Sequence, residues 1–184
     1  MLEPRYARLA ALLVMLAGCT PAGTGATPAP SSTTSPPPPT TAAPVTWVRT
    51  WAGPDYGAFF DLTFTGEGDI LAVGATNHLH MPPYSGDALL VKLTPEGETL
   101  WETTWGGDGY EQALGVEPTG EGGYYVFGET DSYGAGGRDF FLLRISAEGV
   151  EEWHRTYGRA DREWPYGMLR LAGGDLLLFG FSES

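Results

Sequence analysis

His78-Leu79-His80 is the pair in this chain best spaced for a metal, because alternate residues of an extended segment point the same way. His154 is the only other histidine, so a site would need carboxylates to complete it, and two polar residues in a surface loop is the simpler reading. The run Asp131-Ser132-Tyr133-Gly134-Ala135-Gly136-Gly137-Arg138-Asp139 suggests a calcium loop. It follows neither the EF-hand order nor the glycine-rich nonapeptide, and a glycine-rich turn accounts for it. Gly134-Ala135-Gly136-Gly137 lacks the Lys-Ser or Lys-Thr that a phosphate cradle needs. No Gly-x-Ser-x-Gly elbow occurs, and Ser182 has no base beside it. Glu151-Glu152 and the acids from Asp61 to Asp69 can do acid–base work only if the fold sets two of them across a cleft. Trp164-Pro165-Tyr166 suits a carbohydrate surface or a packed core. No catalytic residue, cofactor or metal is therefore assigned from the sequence.

Cys19 is the single cysteine, which excludes an intramolecular disulfide and argues against a catalytic thiol. It follows MLEPRYAR and LAALLVMLAG: two arginines, then about ten apolar residues where about twenty would be needed to span a bilayer. That is the pattern of a secretory signal. Leu16-Ala17-Gly18-Cys19 resembles the lipobox of bacterial lipoproteins. The resemblance implies that the Cys19 thiol carries a diacylglycerol, that residues 1–18 are removed, and that the new amino terminus is acylated. Several acyl chains anchor stably where one does not. The alternative is an ordinary signal with a chance cysteine. The location expected from the lipobox is the cell membrane or outer membrane, on the side facing the periplasm or the exterior.

Residues 19–46 follow as a tether that after Cys19 is Thr, Pro, Ala, Ser and Gly but for Val45, including Pro36-Pro37-Pro38-Pro39. Such a segment buries too little apolar surface to offset its ordering entropy. Its prolines favour an extended spacer rising about 3.1 Å per residue. All six Trp lie between Trp47 and Trp164, which places the folding part at 47–184. The net charge of −13 becomes −14 once residues 1–18, with Glu3, Arg5 and Arg8, are set aside. A chain of this charge is repelled by phosphate backbones, so no nucleic-acid partner is expected.

The folding part repeats. WVRTWAGPDYGAF begins at Trp47, WETTWGGDGYEQA at Trp101 and WHRTYGRADREWPYG at Trp153, separated by 54 and 52 residues. Gly74, Gly128 and Gly180 each close an apolar run, ILAVG, YYVFG and LLLFG, and Thr76, Thr130 and Ser182 follow two residues later. Gly86-Asp87 corresponds to Arg138-Asp139, and Glu96-Gly97 to Glu148-Gly149. The spacing predicts four strands per unit, in the second unit Gln112–Pro118, Tyr124–Thr130, Asp139–Ile145 and Glu151–Thr156. A further strand is predicted at Trp47–Trp51. ALLVKL and FFLLRI are apolar at consecutive positions, so both faces of their sheets should be covered. Repeated four-stranded sheets that cover one another are what β-propeller blades require. The expected fold is all-β, about 2.5 blades of a partial propeller, open or closed by association; a β-trefoil is the alternative.

The pattern is similar to a family of propeller-type repeats found in bacterial and archaeal surface proteins. Their unit reads approximately Trp-x-x-Thr-aromatic-Gly-Gly, Gly-Gly-aromatic-apolar-apolar-x-Gly and Gly-x-Gly-x-x-Asp before an apolar strand. In the second unit Trp101, Gly106, Gly107, Gly123, Gly128, Thr130, Gly134, Gly136, Asp139 and Gly149 carry it. The first unit departs at Ala52 and from His78 to Ser85, the third at Arg159. The resemblance implies architecture and brings no catalytic residue with it. The function expected is a lipid-anchored binding or interaction module whose partners are the membrane, through Cys19, and a protein or second copy closing the ring. The alternatives are a propeller enzyme with quinone- or calcium-dependent sugar chemistry, or a partial product of a longer gene. Asp108, Tyr110 and Glu111, where the units differ most, are the candidate loop contacts.

Overall fold

The computed structural model describes residues 47–48, 50, 57–77 and 85–183. The expected signal 1–18, Cys19, the tether 19–46 and the pair His78 and His80 lie outside the described residues.

The described residues form strands and no helix. The strands are β1 (Ala58–Phe64), β2 (Ile70–Ala75), β3 (Ala88–Leu93), β4 (Thr99–Trp105), β5 (Glu111–Pro118), β6 (Tyr124–Thr130), β7 (Asp139–Ile145), β8 (Glu151–Tyr157), β9 (Glu163–Arg170) and β10 (Leu176–Ser182). They pair antiparallel in chain order. β1-β2-β3-β4 is one sheet, β5-β6-β7-β8 a second, and β9-β10 a two-stranded third. The strand predicted at Trp47–Trp51 is corrected in part: Trp47, Val48 and Thr50 are in no strand, and the remaining residues of that span lie outside the described set. Trp47 is held through its side chain instead, its indole N–H donating to Pro95 O at 2.8 Å.

One turn recurs between strands and explains the Glu-Gly repeats. In the β3–β4 turn Thr94 N donates to Glu98 O and Gly97 N to Thr94 O; Ser146, Val150 and Gly149 repeat this between β7 and β8. The threonine or serine hydroxyl oxygen also accepts the amide of the glutamate two residues on, Glu96 or Glu148. The last bend needs a left-handed backbone, and Gly97 and Gly149 supply it at φ 83° and 82°. An indole then lies on each bare glycine, Trp47 on Gly97 and Trp101 on Gly149, and Trp101 Nε1 donates to Ala147 O at 3.1 Å.

The glycines closing the apolar runs have a different cause. The first strand of every sheet is bulged opposite them, at Phe59/Asp61, at Ala113/Gly115, and in the β9–β10 pairing at Phe179/Gly180. The bulge pushes a carbonyl toward the second strand, so a Cβ at Gly74, Gly128 or Gly180 would overlap Ala58 O, Gln112 O or Trp164 O.

The sheets bury one another face to face. Leu71, Val73, Ala88 and Leu90 of the first form one cluster with Ala113, Val116, Tyr124, Val126, Phe141 and Leu143 of the second. Phe127 and Leu142, on the second sheet's other face, pack with Met168, Leu176 and Leu178 of the third. The consecutive apolar residues of β7 are thus divided between two interfaces. Trp105, at the end of β4, crosses the first of them: its ring lies 4.5 Å from Phe141 and its N–H donates to Glu151 Oε2 at 2.9 Å.

Gly128→Ala is expected to destabilise the chain by about 1–3 kcal/mol through overpacking against a backbone that has little room to yield. Gly66→Ala, whose Cβ would meet open space, should leave the thermal midpoint nearly unchanged. Equal midpoints for the two variants would contradict this account.

Candidate functional site

The titratable residues gather where one sheet passes to the next. The loop 106–110 leaves β4, and its end is tied to the segment leading into β3: Gly86 N donates to Gly109 O at 3.1 Å and Glu111 N to Gly86 O at 2.7 Å. Glu163 N donates to Arg138 O at 2.7 Å in the corresponding place one sheet later. The first seam therefore begins with a short parallel contact, Gly86 beside Tyr110, and the second carries the matching hydrogen bond from Glu163 to Arg138.

That contact draws a glutamate inward. Glu111 is fully buried, and its carboxylate accepts Thr130 Oγ1–H at 2.7 Å, Ser132 N–H at 3.1 Å and Gly107 N–H at 2.9 Å. Glu163 repeats the arrangement, accepting Ser182 Oγ–H at 2.9 Å and Arg159 N–H at 3.3 Å. Thr130 and Ser182, two positions after their closing glycines, thus satisfy a buried carboxylate, while Thr76 Oγ1 accepts the Asp87 amide at 2.8 Å.

Tyr110 is buried beside Glu111, with the Arg138 guanidinium 5.3 Å from its ring centre. Burial, with Glu129 adding, pushes its hydroxyl up to about 12. Arg138 is clamped on Asp131, Nε to Oδ1 at 2.9 Å and Nη2 to Oδ2 at 3.1 Å, and on Glu129 through Nη1. Burial raises the carboxyl of Glu129, and Arg138 opposes the rise.

Asp139 presents the unusual chemistry. It is fully buried; Oδ2 accepts the Ala135 amide, while Oδ1 has no donor among the described residues. Oδ1 and Glu163 Oε2 converge over Gly158, where a Cβ would strike both. Two carboxylates cannot bond each other; a proton between them makes the bond. Burial raises the pKa of Asp139, the Ala135 amide lowers it, and Glu163 raises it further through a hydrogen bond and through repulsion. Asp87 and Glu111 approach in the same way over Gly106, and burial likewise raises Asp87.

Of the three candidate contacts, Asp108 alone is exposed; Tyr110 and Glu111 point into the seam. Their burial follows from the parallel contact, which turns them away from solvent. Asp108 lies with Gly107, Gly109, Asp131, Ser132 and Tyr133 around a shallow, open depression of ≈ 530 Å³. Gly109 N–H to Ser132 Oγ and Tyr133 O–H to Gly106 O, both 2.8 Å, fix its rim. The acids of the 131–139 run are engaged internally, Asp131 by Arg138 and Asp139 by Ala135. Among the described residues no group of three or more His, Cys, Asp or Glu is arranged to hold a metal ion. Trp164 lies against Phe181, ring centres 5.7 Å apart, and Tyr166 is exposed. Sequence reasoning missed the pairs Asp87–Glu111 and Asp139–Glu163. The available signal was their common separation of 24 residues, carried through both units.

No protein-family model matches the chain, and no curated protein matches its sequence.

Glu111→Ala leaves the Gly107 amide and the Thr130 hydroxyl without the acceptor shown for them, the Ser132 amide keeping Thr130 Oγ1, and should cost about 2–4 kcal/mol, whereas Asp108→Ala should stay within about 0.5 kcal/mol. Chemical denaturation of the two variants distinguishes them. Asp139 makes the chain pH-sensitive in a defined sense. Its raised pKa means that its contribution is whole in acid and is lost as the pH climbs from the ordinary 3.8 through the raised value. Asp139→Asn, which keeps a donor toward Glu163, should therefore melt higher than the parent at about pH 8, with the gap closing toward about pH 4. A gap independent of pH would count against the shared proton.

Proposed function

We propose that this chain is a lipid-anchored, extracytoplasmic lipoprotein whose repeat domain is a partial β-propeller acting as a non-catalytic binding or interaction module. The observation that carries the architectural half is the strand order. Two successive four-stranded sheets, each a simple meander in chain order, bury their faces against each other and against a third pair of strands. That arrangement supports propeller blades over a trefoil.

The address rests on the sequence: two arginines, a short apolar run and Leu16-Ala17-Gly18-Cys19. No helix of the described residues is long and apolar enough to cross a membrane. The non-catalytic half draws on how the charged groups are used. Glu111 has three internal donors, and Arg138 is divided between Glu129 and Asp131, so both serve the seam. The depression beside Asp108 is the surface such a module offers to a partner.

Cells expressing the parent chain and fed radioactive palmitate should yield a labelled protein in the membrane pellet. Cys19→Ala should be unlabelled and leave the pellet. Labelling that survives the substitution would sink the lipoprotein reading.

A further inference from the structure

The tryptophan segments of the three units differ at their middle position. Trp47-Val48-Arg49-Thr50-Trp51 and Trp153-His154-Arg155-Thr156-Tyr157 have an arginine between their aromatic residues, where Trp101-Glu102-Thr103-Thr104-Trp105 has Thr103. In the third unit the arginine lies along its tryptophan, the Arg155 guanidinium 5.4 Å from the Trp153 ring centre. Thr103 has neither the length nor the charge to do this.

The difference makes room inside the first interface. Residues of a strand alternate between faces, so Trp101, Thr103 and Trp105 all point from β4 toward the second sheet. The two indoles hold β4 away from β7 and β8, and the short side chain between them opens a cleft of ≈ 310 Å³. Its floor is Leu90, Leu143 and Ile145, all buried. Trp105 bounds one end, and Gly149, on which the Trp101 ring lies, bounds the other. Glu151 is the one charged side chain among the described residues that line it, and it is exposed. Its Oε2 accepts the Trp105 N–H at 2.9 Å and its Oε1 lies 2.7 Å from His154 Nδ1, which leaves further lone pairs of the carboxylate to a ligand.

Small-molecule sites are apolar clefts of about 300–1,000 Å³ with a few placed polar groups. The cleft beside Thr103 has that form, and its carboxylate selects a cation. We propose that it binds a guanidinium group on a short alkyl stem, whether of a free compound or of an arginine side chain, beside the position at which the other two units carry an arginine of their own. The stem lies on the apolar floor and the cation meets Glu151 at the edge of the Trp105 indole. A planar guanidinium suits this wall better than an ammonium, because it stacks on aromatic faces and bonds a carboxylate through a fork of N–H groups. The cleft needs neither the lipid anchor nor a particular number of blades to take such a group, and it shares no residue with the depression beside Asp108.

The test uses the full chain carrying Cys19→Ala, which keeps acyl chains out of the measurement, and titrates it calorimetrically with butylguanidinium at millimolar concentrations, far below those that unfold proteins. Butylguanidinium should bind roughly tenfold more tightly than butylurea, a neutral analogue of similar shape, and added salt should narrow the gap. Glu151→Gln should remove that preference. Thr103→Arg should abolish binding, because the strand then supplies the cation itself. Circular dichroism checks that each variant folds; if Thr103→Arg does not, Thr103→Met fills the cleft in its place. A capped glycyl-arginyl-glycine peptide separates the two sources: binding of both probes assigns the site to an arginine side chain, and binding of butylguanidinium alone assigns it to a free compound. Absence of binding overturns the proposal, as do equal affinities for butylguanidinium and butylurea, or the parent's affinity kept by Glu151→Gln or Thr103→Arg. None of these results bears on palmitate labelling, so the lipid anchor and the cleft stand or fall separately.

Discussion

Leu142 packs on one side of the second sheet and Leu143 on the other, so this sheet has no face to give to water. Burying apolar area at about 25 cal/mol per Å² is the main source of stability, and a sheet apolar on both sides gains it only between two neighbours. The rest of the chain answers that constraint. Meander connections keep each sheet local in sequence, and the tryptophans of β4 bridge the crossing to the next. Trp105 shows the bridging most fully, since its backbone pairs within the first sheet while its ring and N–H are used by the second.

Close stacking forces polar groups inside, and the seams show how an acidic chain accommodates them. The backbone leads that join successive sheets carry Glu111 and Glu163 below the surface, where hydroxyl and amide donors replace water. Where donors run short, at Asp139 Oδ1, burial and the neighbouring Glu163 raise the pKa and so favour the acid that keeps its proton. Buried unpaired carboxylates are costly, which is why the proton is held there beyond its ordinary range. The seam residues are therefore part of the stacking, and the exposed loop surface is left to Asp108 and its neighbours.

The strands were legible because their cause is local. Gln112–Pro118, Tyr124–Thr130 and Asp139–Ile145 are bounded by glycine turns and filled by apolar runs, and the observed bounds differ by at most one residue. The Glu-Gly repeats, Glu96-Gly97 and Glu148-Gly149, were legible for the same reason. Tyr110 and Glu111 were read as loop contacts because the units differ most there. Their burial depends on a parallel contact with Gly86, 24 residues away from Tyr110, which no local pattern announces. The bulge opposite each closing glycine was equally hidden: the sequence marks the glycine, while its reason lies on another strand.

The stack also sets an order of opening. Stability in such an array is a sum of sheet terms and neighbour terms, so position along the stack matters as much as composition. β6 and β7 lie between two neighbours and β10 beside one, with its outer face open. The amides of β6 and β7 should therefore be the last to trade hydrogen for deuterium, and those of β9 and β10 among the first. The chain comes apart from its edge, one layer at a time, rather than from a single central core.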